Sequence, residues 1–168
     1  MWQKLSGGGQ LPAKSKLTEL AKGLLGGTLA IFILCILTEI SGYPLLMAPF
    51  GASCVLLFAA SGFPLAQPRN VIFGHLLSSL IGLIFLQFIG DGIVSISFAV
   101  GCAIAAMQFL RVVHPPAGAD PLVVILAGKV SYVFLLFPVF LGAVILVLIA
   151  LFINNLGAEK RYPLYWRG

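Results

Sequence analysis

Pro49-Phe50-Gly51-Ala52-Ser53 and Pro116-Ala117-Gly118-Ala119-Asp120 are two versions of one pattern, Pro-x-Gly-Ala-(Ser/Asp), offset by 67 positions from 49 to 116. An apolar triplet follows each, Val55-Leu56-Leu57 and Leu122-Val123-Val124, and each copy interrupts a longer apolar run. Proline removes a backbone donor and glycine weakens a helix, so both copies predict a break. Breaks at corresponding positions of two halves point to a site built from discontinuous membrane helices.

The composition supplies the membrane. Of 168 residues 60% are hydrophobic and 9% charged, with a mean hydropathy of +1.10. A water-soluble domain carries roughly a quarter of its residues as charges, so lipid must solvate most of this surface. Cys35, Cys54 and Cys102 are odd in number and lie in apolar runs; they predict packing residues, not a disulfide framework. The net charge of +5 gathers at the ends, with Lys4, Lys14, Lys16 and Lys22 before the first span and Lys160, Arg161 and Arg167 after the last. Such flanks predict cytoplasmic termini. They lack the motif or aromatic-basic groove of a nucleic-acid binder, so nucleic acid is not expected as a partner. No signal peptide is expected; residues 1–20 predict a mobile arm, 21–154 one transmembrane domain, and 155–168 a short basic tail. Tyr162, Tyr165 and Trp166 in that tail predict an interfacial anchor.

Spans are expected at about 23–39, 71–89, 93–110 and 132–153, with the broken segments at about 43–61 and 114–129 between them. Ser53 and Asp120 are good N-cap types and Pro121 suits a first helical position, which predicts short helices from about residues 54 and 121 to Gly62 and Gly128. Some eight residues at about 1.5 Å each reach less than half of a hydrocarbon core. The expected fold is therefore an all-α integral membrane protein of two tandem repeats, 21–90 and 92–154, each a span, a broken half-helix segment and a span. Gly74 and Gly142 match at an offset of 68, from 74 to 142. Two topologies keep both basic ends inside: inverted repeats with six membrane segments, or four spanning helices with two re-entrant half-helices. Positive-inside bias favours the first, which puts Arg69 and Arg111 inside and leaves only Lys129 misplaced.

Non-helical backbone in a bilayer survives only inside protein or along a water-filled cavity. Helix N-termini carry unpaired N–H groups and about half a positive charge, which attract anions. Gly51, Ala52 and Ser53 facing Gly118, Ala119 and Asp120, with His114 beside them, are thus the expected substrate-binding set; Pro49, Pro115 and Pro116 are the structural breaks. Two successive prolines predict extended backbone there. His114 is open to three roles: an anion-binding imidazolium, a proton relay, or a hydrogen bond to a nearby carbonyl that holds the turn. Asp120 is a cap, a partner for His114 or Arg111, or a proton carrier. Arg111, His75, Arg69 and Asn70 are candidates for the pathway or its gate. His75, Ser78, Ser79 and Gly82 form a polar and small stripe at helical spacing that should face the bundle. Gly23 with Gly27, and Gly101 with Ala105, predict close helix contact. Glu39 reads as a solvated acid at the interface.

The run His114-Pro115-Pro116-Ala117-Gly118-Ala119-Asp120-Pro121-Leu122, with Gln67-Pro68-Arg69-Asn70 and Gly74-His75, resembles the HPP family of integral membrane proteins, which takes its name from the His-Pro-Pro motif. The resemblance covers about 20–155. Members are bacterial, cyanobacterial and plant proteins, often described with four transmembrane helices, and chloroplast-envelope relatives are implicated in nitrite transport. The resemblance therefore implies a transporter or channel for a small inorganic anion, nitrite above all, in a bacterial or cyanobacterial inner membrane. A chain this small has few spans to enclose a pathway, so a homo-oligomer in contact with membrane lipid is expected. No enzyme activity, cofactor or metal is expected, since no His-x-x-x-His or Glu-x-x-His spacing occurs. A non-transporting membrane scaffold and an intramembrane metal enzyme are the alternatives.

Overall fold

The computed structural model describes residues 9–157 and 161–166. Residues 1–8 of the expected arm, and 158–160 and 167–168 of the expected tail, lie outside the described residues, and Lys4, Lys160 and Arg167 with them. Among the described residues six α-helices follow one another: α1 (Leu17–Ser41), α2 (Ala48–Ala59), α3 (Pro68–Phe88), α4 (Ile93–Phe109), α5 (Asp120–Ala127) and α6 (Leu141–Asn155). No strand occurs among the described residues. Three helical stretches, Leu17–Ser41, Pro68–Phe88 and Leu135–Asn155, are long and apolar enough to cross a membrane. The last bends where Phe137 leaves helical dihedrals beside Pro138, as expected where proline removes a donor and crowds the preceding turn.

Both broken segments differ in detail from the expected half-helices. α2 begins at Ala48, with Pro49 in its first turn, where the missing N–H is one of the orphans anyway. Pro49 therefore starts a helix instead of breaking one, and Ser53 lies inside α2, not at its cap. The helix ends at Ala59, before Gly62. In the second segment His114 is extended but the two prolines are not: Pro115–Ala119 wind into a 3-10 turn that runs into α5. Asp120 is the first residue of α5 and not its cap, and its carboxylate turns to His75 and Ser79 instead. Gly128 ends α5 with a φ of 72°, as a glycine stop should.

Hydrogen bonds between distant residues place the helix ends. Lys22 Nζ donates to the Asn154 carbonyl and Asn154 Nδ2 to the Leu57 carbonyl, so the start of α1 and the ends of α2 and α6 lie together. Arg69 donates to the Leu110 carbonyl and Asn70 Nδ2 to the Val113 carbonyl, pairing the start of α3 with the end of α4. At the other end Tyr132 donates to Gln87 at the end of α3. The chain after α6 folds back: Tyr162 is buried and donates to the Ala66 carbonyl at 2.8 Å, and Tyr165 donates to Asn70 Oδ1 at 3.1 Å. Burial pushes the Tyr162 phenol above its ordinary range, so it remains a donor. Of the expected aromatic anchor, only Trp166 stays well exposed.

α3 is central. Its buried face carries His75, Ser78, Ser79 and Gly82, the stripe expected from helical spacing, and extends it with Asn70, Val71 and Gly74. A Cβ at Gly82 would lie 2.9 Å from the Pro121 Cα and 3.2 Å from the Val124 Cβ, so glycine lets α3 and α5 meet backbone to backbone. The expected contacts at Gly23, Gly27 and Gly101 do not form within the chain, where nothing lies within 4 Å of an added Cβ. On α1 the close approach falls at Gly26 instead, under the Phe58 ring. Among the cysteines Cys54 packs inside, whereas Cys102 points outward.

Two outcomes follow for purified protein in detergent. Gly82→Ala lowers thermal stability, by about 1–3 kcal/mol, because backbone must move; Gly101→Ala, which meets open space, does not. Tyr162→Phe strands the buried Ala66 carbonyl and costs about 1 kcal/mol, read in the same unfolding assay.

Candidate functional site: a buried Ser-His-His-Asp network

Four side chains from four parts of the chain converge inside the bundle. Ser53 comes from α2, His75 from α3, His114 from the residue before the 3-10 turn, and Asp120 from the first position of α5; all four are 0% exposed. Ser53 Oγ lies 2.9 Å from His75 Nε2 and 2.8 Å from His114 Nε2, and 3.2 Å from the carbonyl of Pro49. His75 Nδ1 lies 2.8 Å from Asp120 Oδ2, which also accepts from Ser79 Oγ at 3.2 Å. His114 Nδ1 donates to the Leu65 carbonyl at 2.7 Å. The order is therefore Asp120, His75, Ser53, His114, Leu65, with each link at hydrogen-bonding distance.

Local structure explains the convergence. His75 and Ser79 are four residues apart on α3, hence on one face, and both reach Asp120. Ser78, on the same face, donates to the Ala117 carbonyl at 2.6 Å and ties down the 3-10 turn. Asn70 holds the carbonyl of Val113, next to His114. Gly74 makes room for His114: a Cβ there would come within 2.8 Å of the histidine Cβ. The edge-on ring of Phe50, with centroids 5.1 Å apart, covers His75, and the two imidazoles pack edge to face at 4.9 Å. In such surroundings an unpaired polar group is costly and a satisfied network is strong. One oxygen of the site stands out: Asp120 Oδ1 is buried and has no partner among the described residues.

Ser53, His114 and Asp120 of the expected binding set thus meet, together with His75 from the pathway candidates. Asp120 pairs with His75, not with His114 or Arg111, and reaches His114 only through His75 and Ser53. The remaining candidates lie elsewhere. Pro49, Ala52, Pro115, Pro116 and Ala119 line an open apolar groove of about 790 Å³ between α2 and the second broken segment. Gly51 is exposed and Gly118 partly so, with nothing near either Cβ position. The helix starts therefore open toward apolar surface instead of framing a polar cradle. Arg69 and Asn70 tether the end of α4 and the segment after it. Arg111 is exposed at a φ of 58° and makes no hydrogen bond to the network. Glu39 is exposed, in keeping with an interfacial acid.

Sequence spacing missed the pivotal role of Ser53, which touches both imidazoles, and the part played by Ser79 and the Leu65 carbonyl. A signal for Ser53 was present: a hydroxyl in the first copy stands where the second copy has Asp120. The hydroxyl-imidazole-carboxylate order is that of serine hydrolases, yet here Ser53 Oγ is enclosed and shared with a second imidazole. Its α-helical setting also commits the neighbouring backbone N–H groups to the helix.

Residues 12–163 match the family profile described as HPP, transmembrane region. A Dictyostelium discoideum transmembrane protein is 31% identical over 98% of this chain and 57% of its own length; a second from the same organism is 37% identical over 72% of the chain and 45% of its own. The chain thus spans about half the length of these relatives. No solved structure matches it. With its His114-Pro115-Pro116 turn built into the buried network, and with the match running through all six helices, the chain belongs to the HPP transmembrane family.

Proposed function

We propose that the protein is a transporter or channel for a small inorganic anion, with nitrite the substrate suggested by its family resemblance, and that the Ser53-His75-His114-Asp120 network is its working site. The carrying observation is the burial of two imidazoles and a carboxylate at the meeting point of both broken segments. Ionisable groups inside a membrane bundle are expensive to keep there and characteristically mark ion or proton pathways. An incoming anion competes for the N–H groups of the two histidines and the Ser53 hydroxyl, which the network otherwise pairs among themselves and with Leu65. The dipoles of α2 and α5 then assist from the side without forming the site by themselves.

The grouping of the starts of α1 and α3 with the ends of α2, α4 and α6 supports two units in opposite orientation, α1 to α3 and α4 to α6; the basic flanks favour cytoplasmic termini, and the family resemblance a bacterial or cyanobacterial inner membrane. The apolar groove along Ala52, Pro116 and Ala119 suits a neighbouring protomer or lipid, in keeping with a homo-oligomer. Transport, not catalysis, fits the enclosed hydroxyl of Ser53, and the reading requires neither metal nor cofactor. A non-transporting scaffold would need the network only for packing, which predicts tolerance of polar replacements that keep the fold.

Purified protein in liposomes loaded with an anion-sensitive dye should pass at least one of nitrite, nitrate, chloride and formate faster than empty liposomes. His114→Ala should slow that flux at least tenfold, about 1.4 kcal/mol on the barrier, whereas Glu39→Gln at the exposed end of α1 should not. Absence of flux for every anion would sink the proposal.

A further inference from the structure

The hydrogen-bond distances in the network constrain where its protons sit. The Leu65 carbonyl can only accept, so His114 carries a proton on Nδ1. A neutral His114 then presents a lone pair at Nε2, and the single proton of Ser53 points to it across 2.8 Å in preference to the Pro49 carbonyl at 3.2 Å, since otherwise two lone pairs would face each other. Ser53 Oγ is left as an acceptor toward His75, so His75 bears a proton on Nε2. One further proton occupies the 2.8 Å gap between His75 Nδ1 and Asp120 Oδ2, on either atom. Every link then runs in one direction, from Asp120 to Leu65, and the set is neutral overall.

This chain can reverse without losing a bond. A proton delivered to Asp120 Oδ1, the buried oxygen without a partner among the described residues, leaves the Oδ2 proton on His75 Nδ1. His75 passes its Nε2 proton to Ser53, and Ser53 passes its own to His114. Ser53 now accepts from His114 and donates to His75, while His75 donates to Asp120. One proton has been added and one positive charge appears, on His114. Three proton transfers, each over a gap of 2.8 or 2.9 Å, carry it there.

We infer that Asp120, His75, Ser53 and His114 form a proton relay, and that the protein moves its anion together with one proton. The inference rests on the anion-transport proposal and adds the coupling ion to it. A lone anion brought into a neutral site in low dielectric carries a large desolvation penalty; the imidazolium made by the relay compensates its charge at the same place. The titratable groups that meet there are His75 from α3, His114 from the segment before α5, and Asp120 from α5. α2 contributes the Ser53 hydroxyl, while its Cys54 packs into the apolar cluster. Arg69 and Arg111 make no bond to the set, and α1, α4 and α6 send it no hydrogen bond.

The experiment uses proteoliposomes of the full chain with a pH dye inside and an inward gradient of nitrite or nitrate, after subtraction of empty liposomes. Wild-type protein should acidify the lumen by one proton per anion, at a rate unaffected when potassium and valinomycin set the membrane voltage. Over the range where the relay is unloaded, flux should rise about tenfold for each unit by which external pH is lowered. Ser53→Ala cuts the relay between the imidazoles and should lower proton-coupled flux at least tenfold, and Ser53→Thr, which keeps the hydroxyl, should restore most of it. Anion flux that is voltage-driven, independent of pH and without luminal acidification would overturn the relay and leave the anion-transport proposal standing. Lack of flux for every one of nitrite, nitrate, chloride and formate would overturn both. Should Ser53→Ala fail to fold, the wild-type stoichiometry and voltage response decide alone.

Discussion

A carboxylate, two imidazoles and a hydroxyl, none in contact with solvent, can coexist inside an apolar bundle only if each finds a partner, and this requirement organises the molecule. His75 supplies both ends of the solution, one nitrogen to Asp120 and the other to Ser53. Everything around it works to hold those distances. Ser78 fixes the Ala117 carbonyl, Asn70 fixes that of Val113, and Gly74 and Gly82 remove the side chains that would keep the second broken segment away from α3. α3 is accordingly the most polar on its inner face and the most central in the fold.

The two broken segments look alike in sequence but serve the network differently. α2 is helical before Ser53 is reached, so the hydroxyl arrives from the side of a helix. The second segment presents His114 from extended backbone and Asp120 from a helix start, with a 3-10 turn between them. That short turn, fixed by Pro115 and Pro116, sets the spacing that lets His114 reach Leu65 while Asp120 reaches His75. The asymmetry makes the second segment supply two ionisable groups, His114 and Asp120, and the first an exchangeable hydroxyl, with His75 of α3 between them.

Much of this was legible from residue types alone. Helix positions followed from apolar runs bounded by Gly and Pro, and the inward stripe of α3 followed from its periodicity, because both are local consequences of a 3.6-residue turn in lipid. The pairings were not legible. Asp120 was open to His114, Arg111 or a capping role, and spacing cannot choose among partners separated by tens of residues. Glycine contacts failed for a related reason: small residues recur on several faces of α1, and only the position of the Phe58 ring selects Gly26 over Gly23 and Gly27.

Composition and pattern are sufficient for a helical membrane protein with two matched interruptions, since hydrophobic content and helix-breaking residues act through the nearest neighbours and the solvent. Packing was needed to turn a supposed pair of helix-dipole cradles into a closed chain of hydrogen bonds. The direction of a side chain depends on the rotation of its helix against its neighbours, and a turn of one residue moves Ser53 from the imidazoles to the apolar groove that Ala52 lines. Hydrogen bonds lose most of their strength within an ångström of misplacement, so the site exists only once α2, α3 and α5 are seated together.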